Sequence, residues 1–217
     1  MKRYGTAIIT TFALLSAILT GCGDKSNNDS IQPKPVNNSA VVYFSRVGNT
    51  DFADDVDVTT SASLNRENGD LKGNAQLIAE WIADEVNTET VEIVTEEKYP
   101  ENYDSTVDQA KNEQGDKARP KLKNSIDVKD LDTIWLVTPN WWYDLPMPVY
   151  TFFDEYDLSG KNIFVYVTHE GSGFSKIIDT IKDLEPDAQV VEVLSVKGGS
   201  VKDEEQKIRD KTKEMIK

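Results

Sequence analysis

The sequence has 217 residues, of which 24 are basic and 38 are acidic, and its formal net charge at pH 7 is −14. A negative charge of this size disfavours binding to nucleic acid and to anionic lipid head groups. Cys22 is the single cysteine. A disulfide within the chain is therefore excluded, and stability must come from a hydrophobic core.

Residues 1–21 have the order of regions that is typical of a secretory signal peptide. Lys2 and Arg3 precede an apolar run over residues 7–19, which is too short for a comfortable membrane span. The run ends in Leu-Thr-Gly before Cys22, which resembles the lipobox of bacterial lipoproteins. The resemblance implies that Cys22 carries a lipid and begins the mature protein. The alternative is a chance cysteine in a plain signal peptide.

Cleavage before Cys22 would remove two basic residues and no acidic ones, leaving 22 basic against 38 acidic residues and a net charge of −16. Residues 22–39 are polar and contain Pro33 and Pro35, which predicts a flexible tether between the lipid and a folded domain. We assign residues 40–217 to that domain. Such a chain fits the outer face of a membrane and basic protein partners.

A buried strand and the loop after it begin the predicted domain. Residues 40–44 are all apolar, as in a strand that is covered on both faces. The loop that follows is able to hold a phosphate with backbone N–H groups, or else it is an ordinary turn between a strand and a helix. Its residues are Ser45, Arg46, Val47, Gly48, Asn49 and Thr50.

Residues 51–72 form an insertion without helical periodicity, which we interpret as a long surface loop. It contains Asp54, Asp55 and Asp57, but their spacing is not that of a calcium-binding loop. A solvated acidic loop is therefore favoured, and no metal site is predicted. An amphipathic helix follows over residues 74–86.

The rest of the chain alternates strands with helices, which predicts a parallel sheet covered on both faces. The strands at residues 40–44, 133–138 and 162–168 are almost wholly apolar and should be central. The strands at residues 90–95 and 190–194 carry Glu92 and Glu192 and fit the edges. Polar or charged helices are predicted over residues 105–115 and 200–216. We predict an α/β three-layer sandwich with a five-stranded parallel sheet in the order 2-1-3-4-5.

Two further loops leave the carboxyl ends of the central strands. The middle loop is rich in aromatic residues, and the third is rich in glycine. Their candidate binding residues are Pro139, Asn140, Trp141 and Trp142, and Thr168, His169, Glu170, Gly171, Ser172 and Gly173. The indoles of Trp141 and Trp142 suit a flat ring, although a surface cluster for a protein partner is the alternative. His169 is the single histidine, and we favour a contact to a ring edge over proton transfer.

The chain resembles the flavodoxin family in these three loops. Residues 45–50 are similar to the family's phosphate loop, with Val47 in place of a hydroxyl residue, although the helix that normally follows begins only after the insertion. The resemblance implies that residues 45–50 hold the phosphate of FMN and that the other two loops border its isoalloxazine ring. It predicts an FMN-binding electron carrier with no assigned catalytic residue. The alternatives are an FMN-dependent NAD(P)H or quinone reductase, or a binding module that has lost the cofactor.

Overall fold

The computed structural model describes residues 38–56 and 63–217. The predicted signal peptide, Cys22, most of the predicted tether and Asp57 lie outside the described residues. Within the described ranges, no helix is long and apolar enough to cross a membrane.

The main sheet has five parallel strands in the order β4-β1-β5-β6-β7. The strands are β1 (Ser39–Tyr43), β4 (Thr90–Glu92), β5 (Thr133–Pro139), β6 (Asn162–His169) and β7 (Gln189–Lys197). When the strands of a separate hairpin are left out of the count, this is the predicted order 2-1-3-4-5. The predicted fold class is confirmed, and the strands that carry Glu92 and Glu192 lie at the two edges.

Helices cover both faces of the sheet because neighbouring strand residues point to opposite sides. The helices are α1 (Arg46–Asn49), α2 (Asn74–Val86), α3 (Tyr103–Asp116), α4 (Met147–Glu155), α5 (Ile177–Leu184) and α6 (Glu205–Met215), with a 3₁₀ segment at Gly198–Glu204. Trp135 and Phe164 belong to the core beneath α2 and α6. Leu136 and Val165 belong to the core beneath α4 and α5. The result is a three-layer sandwich.

The insertion differs from the long surface loop that we expected. Its second part forms an antiparallel hairpin of β2 (Leu64–Glu67) and β3 (Asp70–Gly73). Asn68 and Gly69 connect the strands, and their φ angles of 52° and 95° are those of a tight hairpin turn. The hairpin ends at Gly73, directly before α2, so the insertion is tied to the main body of the domain.

Candidate functional site

A crevice of about 440 Å³ opens at the carboxyl ends of β1, β5 and β6. In a parallel α/β sheet this edge is the usual place for a ligand, and the volume falls within the range of about 300–1,000 Å³ that is common for ligand pockets. The three loops predicted from the sequence all contribute to it. The lining residues are Arg46, Ser63, Tyr103, Thr106, Val107, Ala110, Pro139, Asn140, Trp141, Trp142, Tyr143, Thr168, His169, Glu170, Gly171 and Ser172.

The first loop contributes Arg46 to the lining of this crevice. The backbone forms one helical turn, α1, which the Ser45 hydroxyl caps by accepting a hydrogen bond of 3.2 Å from the Val47 N–H. Arg46 is 2% exposed, and its Nη2 donates to Pro100 O, Glu101 O and Thr106 Oγ1. Burial lowers the pKa of its guanidinium. A cation is thereby fixed in one wall of the crevice.

The other predicted phosphate-loop residues are engaged elsewhere. Asn49 is fully buried, and its amide group bonds to Ser45 O, Ile93 O and Thr95. Val47 and Thr50 line a second cavity of about 600 Å³ beside the hairpin. The carboxylate of Glu92 on the neighbouring strand accepts a hydrogen bond from the Gly48 N–H. Within the described structure, these residues do not line the crevice.

The middle loop forms a two-residue turn that presents its aromatic rings to the crevice. The N–H and C=O groups of Trp141 and Asp144 pair across the turn at 3.0 and 3.1 Å. Trp142 and Tyr143 have φ angles of 53° and 66°, a left-handed conformation that costs about 1–3 kcal/mol for each such residue. Surrounding contacts must offset that strain, and this concentration of strain is common at functional sites.

The two indoles of this loop are held in different ways. Trp141 packs edge-on against Phe44 and Tyr99, at centroid distances of 5.3 and 5.2 Å, and so belongs partly to the core. Trp142 is 39% exposed, and its Nε1 donates to Val107 O of α3 at 3.0 Å. The Trp142 ring therefore lies on the crevice wall with a face accessible to a ligand.

The third loop meets the middle loop through Asn140. The Asn140 backbone N–H donates to Thr168 O, and the Asn140 Nδ2 donates to Gly173 O at 2.9 Å. The predicted residues from Thr168 to Ser172 line the crevice, whereas Gly173 only supports the loop through this hydrogen bond. Gly171 has a φ of 134°, which a residue with a side chain adopts only with strain.

His169 is a neutral hydrogen-bonding residue in this arrangement. Burial lowers the pKa of its imidazole, and Lys197 on the neighbouring strand lowers it further, against the opposite effect of Glu170. Nδ1 accepts a hydrogen bond of 2.9 Å from the Gly171 N–H. The ring proton therefore lies on Nε2, which makes His169 a donor at the rim of the crevice.

Sequence analysis missed several lining residues, most of them on α3. We expected a polar surface helix, but Tyr103, Thr106, Val107 and Ala110 face the crevice. Their positions lie on one face of a helix, which was the available signal. Tyr143 directly follows the two tryptophans and was missed as well, and Ser63 comes from the insertion.

Comparison with known proteins identifies the family of the chain. The sequence profile of the flavodoxin family matches residues 69–212, about two thirds of the chain. The chain belongs to the flavodoxin family. The match begins in the turn of the hairpin and so includes α2 and the two later loops, but not residues 45–50. A search of curated protein sequences gives no match to this flavodoxin-family chain.

Solved structures share the fold. A candidate flavoprotein from Bacteroides uniformis is 22% identical, with a TM-score of 0.59 over 81% of this chain and 99% of that chain. A flavoprotein from Lactobacillus acidophilus, solved in complex with FMN, is 18% identical, with a TM-score of 0.54 over 76% of this chain and 97% of that chain. At these identities the likeness concerns the fold alone.

Proposed function

We propose that this chain is an FMN-binding electron-transfer protein that is tethered to the outer face of a membrane. The observation that carries the proposal is the crevice at the carboxyl ends of β1, β5 and β6, which combines aromatic walls, a buried cation and closely approaching loop backbone. Each of these features suits FMN, because FMN joins a flat, largely apolar ring system to an anionic phosphate. The membership of the chain in the flavodoxin family supports the same cofactor.

The residues present fit the ring of FMN at the wide side of the crevice. Trp142 offers an indole face for stacking. Helix α3 holds this indole through the hydrogen bond to Val107 O and through Lys111, whose Nζ lies 5.0 Å from the ring centroid. Thr168, His169 and the Gly171 backbone supply polar groups for the ring edge. Bound FMN would accept and release electrons, whereas these residues would orient the ring and exclude water from one face.

The cofactor proposal is tested by the absorbance spectrum of the purified protein and by titration with FMN. We expect FMN to bind more tightly than riboflavin, because the ligands differ in the phosphate that the Arg46 side of the crevice would recognise. The measurement is quenching of ring fluorescence at constant ionic strength. Unchanged flavin fluorescence and absorbance over the titration would contradict the proposal and favour a binding module without cofactor.

The carrier role is supported by the acidic composition, which suits docking to basic redox proteins. The decisive assay is anaerobic and mixes the FMN-loaded protein with NADH or with NADPH. A carrier should oxidise neither at a significant rate, but should exchange electrons with a reduced partner protein. Rapid turnover of either nucleotide would instead identify a reductase.

The membrane tether rests on Leu19, Thr20 and Gly21 before Cys22, the single cysteine. Cys22→Ala should release the protein from membranes or block its maturation, because the thiol is the only group that can take the lipid. The measurement is fractionation of cells into membrane and soluble fractions, with Ser26→Ala as a control in the same polar segment. Unchanged membrane association of the Cys22→Ala protein would refute the lipid anchor.

A further inference from the structure

Two backbone amides of the first loop are already engaged within the protein. The Val47 N–H donates to Ser45 Oγ at 3.2 Å, and the Gly48 N–H donates to the Glu92 carboxylate. The Asn49 side chain bonds to backbone groups of Ser45 and Ile93 and to Thr95. A phosphate that bound the Val47 and Gly48 amides would have to break both of their hydrogen bonds.

The position of Glu92 is also unfavourable for a phosphate on electrostatic grounds. A Cβ atom built on Gly48 would lie 2.2 Å from both carboxylate oxygens, so the carboxylate fills the space that the glycine leaves open. Above about pH 7, where the Glu92 carboxyl is ionised, a phosphate approaching the same amide would meet a like charge at close range. Thr50 lines the second cavity instead, where Asp51, Asp54 and Asp70 lie with Arg66 and Lys98, and Lys98 pairs with Asp51.

Arg46 and Ser63 offer the opposite environment in the crevice itself. The guanidinium is buried in its wall, where an anion would compensate the loss of hydration. Ser63 lines the same crevice, and its Oγ is buried without a hydrogen-bond partner among the described residues. Its carbonyl accepts the Asn74 N–H at 2.9 Å, which fixes the residue at the start of α2, the positive end of a 13-residue helix.

We propose that Arg46 and Ser63 hold the phosphate of the ligand, so that the insertion supplies a binding residue, and that the Gly48 amide takes no part. The inference rests on the proposed binding of FMN. The guanidinium provides charge and the serine hydroxyl donates a hydrogen bond to a phosphate oxygen. The buried Ser63 hydroxyl, which has no partner among the described residues, then gains one from the ligand.

The experiment compares FMN with riboflavin on variants of the full protein. Ser63→Ala should lower the affinity for FMN roughly tenfold or more, the usual effect of losing a hydrogen bond to a charged group, and should change the affinity for riboflavin less than about twofold. Ser63→Thr and Ser63→Val form a matched pair of similar shape, in which only the threonine keeps the hydroxyl. The threonine protein should retain most of the preference for FMN, and the valine protein should lose it.

Two further variants locate the phosphate. Trp142→Ala changes the end of the crevice that would hold the flavin ring. It should lower the affinities for FMN and for riboflavin by the same factor. Glu92→Gln, measured at pH 8 where the wild-type carboxyl is ionised, should leave the ratio of FMN to riboflavin affinity within about threefold of wild type. A phosphate at the Gly48 amide predicts instead a selective gain for FMN of about tenfold or more, because a like charge is removed. The control is Ser159→Ala, which lies on the loop before β6, at the amino ends of the strands and away from the crevice.

The outcomes separate the two proposals. Wild-type protein that binds FMN, together with an unchanged flavin ratio in the Ser63→Ala and Ser63→Val proteins, overturns the role of Ser63 and leaves the proposed function standing. A selective gain in affinity for FMN in the Glu92→Gln protein would show that the phosphate binds at the Gly48 amide, which overturns that part of the inference. Failure of the wild-type protein to bind either flavin overturns the proposed function and this inference together.

Discussion

The carboxylate of Glu92 should make stability depend on pH, and Glu92→Gln should remove that dependence. Glu92 lies on the edge strand β4, where burial raises the pKa of its carboxyl from 4.5 to about 7. Hydrogen bonds from Tyr43 and from the Gly48 N–H oppose the rise but do not cancel it. The ionised form is therefore less favourable in the folded protein than in the unfolded chain.

The sign and the size of the effect follow from linkage. A carboxyl whose pKa is raised on folding contributes stability that is fully present below about pH 4.5 and is lost as the pH rises through about 7. A rise from 4.5 to about 7 corresponds to about 3 kcal/mol at most. The side chain is only half-buried, so we expect solvent screening to reduce the loss to about 1–2 kcal/mol.

The assay is urea unfolding of the wild-type and Glu92→Gln proteins without flavin, at several pH values between 5 and 8. The two free energies of unfolding should agree near pH 5, and the glutamine protein should be more stable by about 1–2 kcal/mol near pH 8. The contribution of His169 cancels in the difference. Glu192→Gln removes an exposed carboxylate from the opposite edge strand and serves as the control. Parallel curves for wild-type and Glu92→Gln proteins would refute the reasoning.

Two further predictions concern the residues around the crevice. Gly48→Ala should destabilise the protein by about 1 kcal/mol, because the new methyl group would occupy the position of the Glu92 carboxylate and break its hydrogen bond to the Gly48 N–H. It should also abolish the pH dependence assigned to Glu92, because a carboxylate pushed out towards water loses the burial that raises its pKa; urea unfolding at pH 5 and pH 8 measures both effects, and a retained pH dependence would contradict the displacement. Trp141→Ala should lower the free energy of unfolding by about 2–4 kcal/mol, against about 1 kcal/mol or less for Trp142→Ala, because Trp141 packs into the core. Equal losses of unfolding free energy in the two proteins at pH 7 would show that Trp141 is not packed more tightly than Trp142.

The fold was predictable because the apolar composition of the central strands indicates that they are buried. Residues 133–138 and 162–168 are almost continuously apolar, as in strands that are covered on both faces. Glu92 and Glu192 identified the edges, which fixed the strand order once the alternation of strands and helices was recognised. The binding edge of the sheet followed from that order, and with it the convergence of three loops.

The hairpin and α3 were harder to predict for a physical reason. The hairpin has mixed polarity on both sides, and its Asn68-Gly69 turn was the one strong signal. Helix α3 has only Thr106 and Ala110 buried, so its composition reads as a surface helix. Hydrogen bonds hold it in place instead, such as the one from Tyr99 OH to Glu113 at 2.7 Å. Such contacts join residues that are distant in sequence and leave no periodic pattern.

The first loop shows that a sequence motif for phosphate binding does not by itself establish a phosphate site. Residues 45–50 specify a local backbone conformation, and the structure forms it as a capped helical turn. Whether the Gly48 N–H is available depends on Glu92, which the neighbouring parallel strand brings to Gly48. Conversely, Ser63 belongs to no motif and reaches the crevice only because the hairpin returns the chain to the start of α2. Local sequence therefore determines the shape of the loop, while strand neighbours and the insertion determine which of its groups can meet a ligand.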